Sequence, residues 1–118
     1  MTTRPDGTAT LIVISRNGMG DAEPELGQRL IRTYLTLLLE SNMLPGAICF
    51  YTNGVRLVTE GSPVLDLLEQ LANRGVHLIV CKTCVDYFGL TDQVRVGVIG
   101  GMTDVIAAQW EAQKIIHL

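Results

Sequence analysis

The sequence predicts an α/β fold, in which a mostly parallel sheet is covered by helices on both faces. Short apolar segments, typical of buried strands, alternate along the chain with longer segments of helical periodicity. Of the 118 residues, 47% are hydrophobic and only 5% are aromatic, so Leu, Ile, Val and Ala must fill one core. We therefore expect a single domain over residues 10–118, preceded by a flexible tail over residues 1–9.

The strand predictions rest on short runs of apolar and β-branched residues bounded by Gly, Pro or Asn. The clearest run is Val76–Val80, which follows Gly75 and is almost wholly apolar, as a buried parallel strand requires. In chain order the predicted strands are Thr10–Ser15, Ala47–Tyr51, Val76–Val80, Arg95–Ile99 and Lys114–Leu118.

The helix predictions rest on apolar periodicity and on capping residues. A long helix should begin at Pro24 and end near Ser41. Its apolar stripe is wider than contact with one sheet face requires, so we expect part of the stripe to contact another subunit. A second helix should be capped by Ser62, have Pro63 at its first position and end near Gly75. The shorter predicted elements are one helical turn over Val85–Phe88 and a helix from Thr103 or Asp104 to Glu111. The segment Val55–Glu60 is undecided between a short helix and irregular structure.

Charge and composition exclude several classes of protein. The net charge is −3 and the arginines are scattered, so the chain has no basic run to follow a phosphate backbone, which argues against a nucleic-acid partner. The helical stretch Ile31–Leu39 is too short and too polar to span a membrane, and the first residues lack the apolar region of a secretory signal. Three cysteines do not form a disulfide framework, so we expect a cytoplasmic protein with free thiols.

A Cys-x-x-Cys pair, Cys81 and Cys84, follows the clearest predicted strand directly. In open α/β sheets, ligands bind beyond the carboxyl ends of the strands. A thiol placed there faces the start of a helix, whose unpaired N–H groups favour the nucleophilic thiolate, and the neighbouring cation of Lys82 adds to this effect. The pair therefore indicates sulfur or redox chemistry.

Other unusual residues should meet the pair at the same edge of the sheet, because right-handed crossovers bring the carboxyl ends of parallel strands together. Asn53 and Gly54 follow the second predicted strand, and a loop containing Gly18, Met19 and Gly20 follows the first. The glycine loop lacks the spacing of a phosphate loop or a dinucleotide fingerprint, although its N–H groups suit an anion. An ordinary strand-to-helix loop is an equally good interpretation.

The chain resembles the DsrE/TusD-like sulfurtransferase superfamily, and is most similar to the C-terminal domain of YedF-type, selenium-metabolism-associated proteins. The resemblance extends over nearly all residues after residue 9, and the segment Cys81–Leu90 is its most specific part. The other matching segments are Met19–Asp21 with Glu25–Gly27, Phe50–Val55 and Met102–Asp104. The resemblance implies a three-layer α/β/α fold with a five-stranded sheet, and assembly into homo-oligomers or hetero-oligomers.

The resemblance also implies roles for the two cysteines. Cys81 matches the position that carries a persulfide in DsrE-like proteins, and Cys84 matches the second cysteine of the YedF-like branch. Two departures stand out. Lys82 replaces a common glycine, and the sequence contains no TusA-like domain, so one suggested partner is a separate TusA-like sulfur carrier protein.

Three functions are consistent with the sequence. The first is a sulfur relay through a Cys81 persulfide, in sulfur or selenium metabolism, and the second is a dithiol redox protein that uses Cys81 and Cys84. The third is a non-catalytic binding or assembly subunit. We expect no cofactor and no metal, since Cys49 should lie in the core, and His77 and His117 are poorly placed to complete a four-ligand site.

Overall fold

The computed structural model describes residues 7–118, so the first six residues of the predicted tail lie outside the described part. The strands are β1 (Thr10–Ile14), β2 (Ala47–Phe50), β3 (His77–Cys81), β4 (Val98–Gly100) and β5 (Lys114–His117). The α-helices are α1 (Pro24–Glu40), α2 (Leu65–Asn73), α3 (Lys82–Tyr87) and α4 (Met102–Glu111). Two 3₁₀ helices, Thr52–Val58 and Thr91–Gln93, follow β2 and α3.

The five strands form one sheet in the order β4-β3-β2-β1-β5, and every neighbouring pair is parallel. From β1 to β4 the chain adds strands in one direction, so right-handed crossovers bring α1, α2 and α3 to one face. The chain then returns across the opposite face through α4 and adds β5 beside β1. The predicted three-layer α/β/α fold is confirmed.

The two faces of the sheet are covered unequally. On the first face, Ile31 and Leu35 of α1 and Leu68 of α2 pack with no exposed area against alternate residues of the strands, such as Ile48. On the second face only Val105 of α4 is buried against the strand residues, which are Leu11, Val13, Cys49 and Ile79. Large apolar side chains of α4 remain exposed, namely Met102, Ile106 and Trp110.

Two predicted boundaries are wrong for identifiable reasons. The second helix begins at Leu65, not at Pro63, because the Ser62 hydroxyl accepts a hydrogen bond from the N–H of Val64 and closes a separate turn. The fourth strand begins at Val98, because the N–H of Arg95 donates to the carbonyl of Val58 instead of joining the sheet.

The structure also defines the conformation of two short segments near the cysteines. The undecided segment lies largely in the 3₁₀ helix Thr52–Val58, which also contains Asn53 and Gly54. The predicted turn after the cysteine pair is a six-residue helix, α3, that starts immediately after Cys81. Cys84 therefore lies within a helix and not in a loop.

Within residues 7–118, none of the helices is both long enough and apolar enough to cross a membrane.

Candidate functional site

The two cysteines lie side by side at the carboxyl edge of the sheet. Cys81 is the last residue of β3 and is only 3% exposed, while Cys84, one turn into α3, is partly exposed. Their sulfur atoms are 3.1 Å apart, and the Cys84 thiol donates to the sulfur of Cys81. A disulfide requires about 2.05 Å, so an approach of roughly 1 Å would join the two sulfurs. The structure therefore holds a reduced pair at exchange distance.

A backbone amide completes the surroundings of Cys84. The N–H of Thr52, the first residue of the 3₁₀ helix after β2, donates to the Cys84 sulfur at 3.1 Å. Burial raises the pKa of the Cys84 thiol, and the hydrogen bond to Cys81 raises it further. The hydrogen bond from the Thr52 amide lowers this pKa, but the net effect is a rise. Cys84 is consequently protonated at neutral pH, and its S–H is available to stabilise negative charge on the sulfur of Cys81.

Lys82 is exposed, and its charge is compensated. The Lys82 ammonium group lies 2.5 Å from the carboxylate of Asp86, one helical turn away, and the other carboxylate oxygen accepts the hydroxyl of Thr91 at 2.6 Å. The hydrogen bond from Lys82, followed by that from Thr91, holds the pKa of Asp86 below its usual range. The cation that the sequence places beside the thiols is thus shared with a carboxylate.

Arg56 is a site residue that the sequence analysis missed. Its guanidinium lies 4.4 Å from the centroid of the Phe88 ring, and its Nε donates to Asn53 Oδ1 at 3.2 Å. Since Phe88 directly follows α3, this cation–π contact joins the 3₁₀ helix of Thr52 to the helix of Cys84. No sequence signal marks it, because Arg56 falls in the segment whose structure was undecided.

The predicted binding residues divide into two groups. Gly20 and Asn53 line an open cavity of about 210 Å³ at the start of α1, together with Gly18. The N–H of Met19 instead donates to the carbonyl of Gly27 in α1, and Gly54 is buried. Met19 and Gly54 therefore fix the loops around the edge, whereas the cavity is lined by the exposed Gly20 and Asn53 and by the buried Gly18.

Cys49 lies in the core, as predicted, with no exposed area. Burial raises the pKa of its thiol to about 11, and the neighbouring Cys81 and Cys84 contribute further to that rise. The two histidines are exposed on strands, His77 at the start of β3 and His117 at the end of β5. In the described part of the chain, no three or more His, Cys, Asp or Glu side chains are grouped so that they could hold a metal ion.

Comparison with known proteins gives a consistent result for the fold. The model of the DsrE/DsrF-like family matches residues 10–118. Among solved structures, the YchN protein of E. coli is similar at 22% identity and a TM-score of 0.68, over 92% of this chain and 97% of that chain. The protein MTH1491 of Methanobacterium thermoautotrophicum, described as of unknown function, is similar at 18% identity and a TM-score of 0.64, over the same shares, 92% and 97%.

A third similar structure is BT1422 of Bacteroides thetaiotaomicron, also of unknown function, at 12% identity and a TM-score of 0.64, over 98% of this chain and 100% of that chain. At these identities the structural likenesses concern the fold alone. Among curated proteins, none matches the sequence significantly.

Proposed function

We propose that this chain, which belongs to the DsrE/DsrF-like family, carries sulfur as a persulfide on Cys81. The observation that supports this proposal most directly is the position of the Cys84 thiol, which donates to the Cys81 sulfur at 3.1 Å. This contact places a hydrogen-bond donor against the sulfur of Cys81, and the thiolate is the nucleophile in sulfur transfer. Cys81 is also fixed by the sheet, since it ends β3.

Loading would proceed by thiolate attack on a persulfide donor. The Cys81 thiolate attacks the outer sulfur of a donor R–S–SH, the new S–S bond forms on Cys81, and the donor leaves as the thiolate R–S⁻. Because Cys81 is 3% exposed, the attack requires a local opening of α3. That helix has only six residues, so its opening breaks few backbone hydrogen bonds.

Unloading has two routes with different products. An acceptor thiolate can take the outer sulfur and leave Cys81 as a thiolate. Alternatively, the Cys84 thiolate attacks the inner sulfur, which forms a Cys81–Cys84 disulfide and releases HS⁻. In the second route the released sulfur leaves with the electron pair of the broken S–S bond and the Cys84 sulfur is oxidised, while the Cys81 sulfur exchanges one S–S bond for another, so no further reagent is needed.

The test is mass spectrometry of cysteine variants after incubation with a persulfide donor. We expect Cys81→Ser to gain no sulfur, and Cys84→Ser to gain one sulfur atom on Cys81 and to keep it longer than the wild type does. The matched control is Cys49→Ser, which should load normally because Cys49 lies within β2 and burial raises the pKa of its thiol to about 11. Loading of Cys84 in the Cys81→Ser variant would reverse the assignment.

A dithiol redox function is the second candidate, and the 3.1 Å separation of the two sulfurs favours it too. In that case the wild type forms a reversible disulfide, both single variants lose disulfide turnover equally, and neither accumulates a persulfide. The same experiment therefore separates the two functions. A chain in which neither thiol turns over would fit a binding or assembly subunit.

The finer part of the proposal concerns the branch of the family and the partners. The segment Cys81–Leu90, with both cysteines, supports a YedF-type relationship, a link to sulfur or selenium metabolism and a TusA-like carrier as sulfur donor or acceptor. We also propose self-association through apolar surface on the helices. On α1 the exposed leucines are Leu26, Leu30 and Leu37, and on α4 Trp110 is 86% exposed.

A further inference from the structure

Thr52 has a backbone conformation that is unfavourable for its side chain. Its φ angle is +48°, in the left-handed region, where a β-branched residue is rare. A residue of this kind stays there only when its surroundings hold it, and such residues concentrate at functional sites. The reason for the conformation must therefore be sought in the contacts that Thr52 makes.

The Thr52 side chain supplies the restraint. Its hydroxyl lies 2.6 Å from the carbonyl oxygen of Ser15 and 2.7 Å from that of Tyr51. A hydroxyl has one proton, and the contact with Ser15 is the one that ties Thr52 to a different part of the chain, immediately after β1. Removal of the hydroxyl would release Thr52 from this anchor.

The Thr52 amide has a target that is itself reactive. With the hydroxyl anchored, the N–H of Thr52 points at the sulfur of Cys84, 3.1 Å away. The same sulfur lies 3.1 Å from that of Cys81, so the amide, Cys84 and Cys81 form one continuous hydrogen-bonded chain. A negative charge on the Cys84 sulfur would therefore be in direct hydrogen-bond contact with this amide.

We infer that Thr52 is a positioning residue for Cys84, whose backbone N–H, held by the hydroxyl bond to Ser15, stabilises the Cys84 thiolate during sulfide release. This inference rests on the proposed function. When the Cys84 thiolate attacks the inner sulfur of the Cys81 persulfide, the S–S bond between the two cysteines forms, and HS⁻ leaves with the electron pair of the broken bond. The amide stabilises the attacking thiolate, because a hydrogen bond to the charged form favours that form.

The experiment measures the acidity of Cys84 directly. In a Cys81→Ala background, the rate of Cys84 alkylation is followed against pH by peptide-resolved mass spectrometry, with Thr52→Val as the variant and Thr52→Ser as the matched control. Valine keeps the branched shape and loses the hydroxyl, whereas serine keeps the hydroxyl. We expect Thr52→Val to shift the alkylation profile upward by about half a pH unit or more, which slows the reaction about threefold at neutral pH. Thr52→Ser should remain within twofold of the parent.

If Thr52→Val does not fold, Thr52→Gly serves instead, since glycine accepts a positive φ without strain and also lacks the hydroxyl. With both cysteines present, the Cys81 persulfide should last at least three times longer in the variant than in the wild type.

The possible failures are distinguishable. An unchanged alkylation profile in Thr52→Val, or in Thr52→Gly where that variant is used, overturns the inference and leaves the sulfur relay intact. If Cys81 never loads, the relay fails, and with it the inferred role in sulfide release. An equal slowing in Thr52→Val and Thr52→Ser also overturns the inference, because the hydroxyl anchor would then be irrelevant.

Discussion

The close approach of Gly54 to the end of β1 gives the sharpest test of the packing around the site. A Cβ atom at Gly54 would lie 2.0 Å from the carbonyl oxygen of Ile14 and 2.7 Å from its carbonyl carbon. An ordinary carbon–oxygen contact is about 3.4 Å, so Gly54→Ala must separate two backbone segments by about 1.4 Å. Backbone cannot turn aside as a flexible side chain can, so the substitution should cost about 3 kcal/mol, near the upper end of overpacking effects.

The assay is urea unfolding of Gly54→Ala and of the wild type at equal protein concentration, with thermal unfolding as a second measurement. A loss of about 3 kcal/mol corresponds to a decrease in Tm of roughly 10 °C for a domain of this size. The matched control is Gly27→Ala in α1, where the nearest atom to the new Cβ would be the Met19 carbonyl oxygen at 3.5 Å, an ordinary contact.

The control should have the opposite sign. Alanine is the better helix former, so Gly27→Ala should leave the free energy of unfolding unchanged or raise it by up to about 1 kcal/mol. If Gly54→Ala unfolds within about 0.5 kcal/mol of the wild type, the 3₁₀ helix does not pack against β1 as the structure shows. The same displacement would move Thr52, two residues earlier, away from Cys84.

Two more predictions concern the buried thiol and the exposed apolar surface. Burial raises the pKa of Cys49 to about 11, whereas Cys84 is partly exposed. Iodoacetamide should therefore label Cys84 in the native protein and label Cys49 only on unfolding. Equally fast labelling of both cysteines, measured by peptide mapping, would contradict the core position of Cys49. Light scattering should give a mass well above the 12.9 kDa of one chain, and Leu30→Gln or Trp110→Gln should lower that mass according to which helix forms the interface. A monomer at micromolar concentration in the wild type would remove the proposal of self-association.

Most of the sheet was predictable because local pattern marks four of its five strands, whereas the fourth begins three residues later than predicted. The run Val76–Val80 is apolar and lies between Gly75 and the cysteine pair, and the structure places β3 over His77–Cys81. The long helix was equally clear, since Pro24 suits a first helical position and α1 begins there. Strand order was not predicted, because right-handed crossovers fix the handedness of each connection and not which strand it reaches.

The parts of the site that escaped prediction depend on contacts between distant segments. The cation–π contact joins Arg56 to Phe88, and the restraint on Thr52 comes from Ser15. A positive φ at a threonine cannot be expected from its residue type, because the left-handed region favours Gly, Asn and Asp. The start of α2 was misplaced for a related reason: Ser62 does accept an N–H two residues on, but this bond closes a turn before the helix begins.

The position of β5 beside β1 constrains the order in which the chain can be assembled on a ribosome. Thr10 pairs with Lys114, so β1 acquires its second neighbour only after β2, β3, β4 and the four α-helices have been synthesised. Until then one edge of this apolar strand has unpaired backbone groups, which are a template for pairing with other chains. The segments that hold the two reactive sulfurs, β1 to α3, emerge earlier. A nascent chain can therefore bring its thiols together while one edge of its sheet is still open to pairing with other chains.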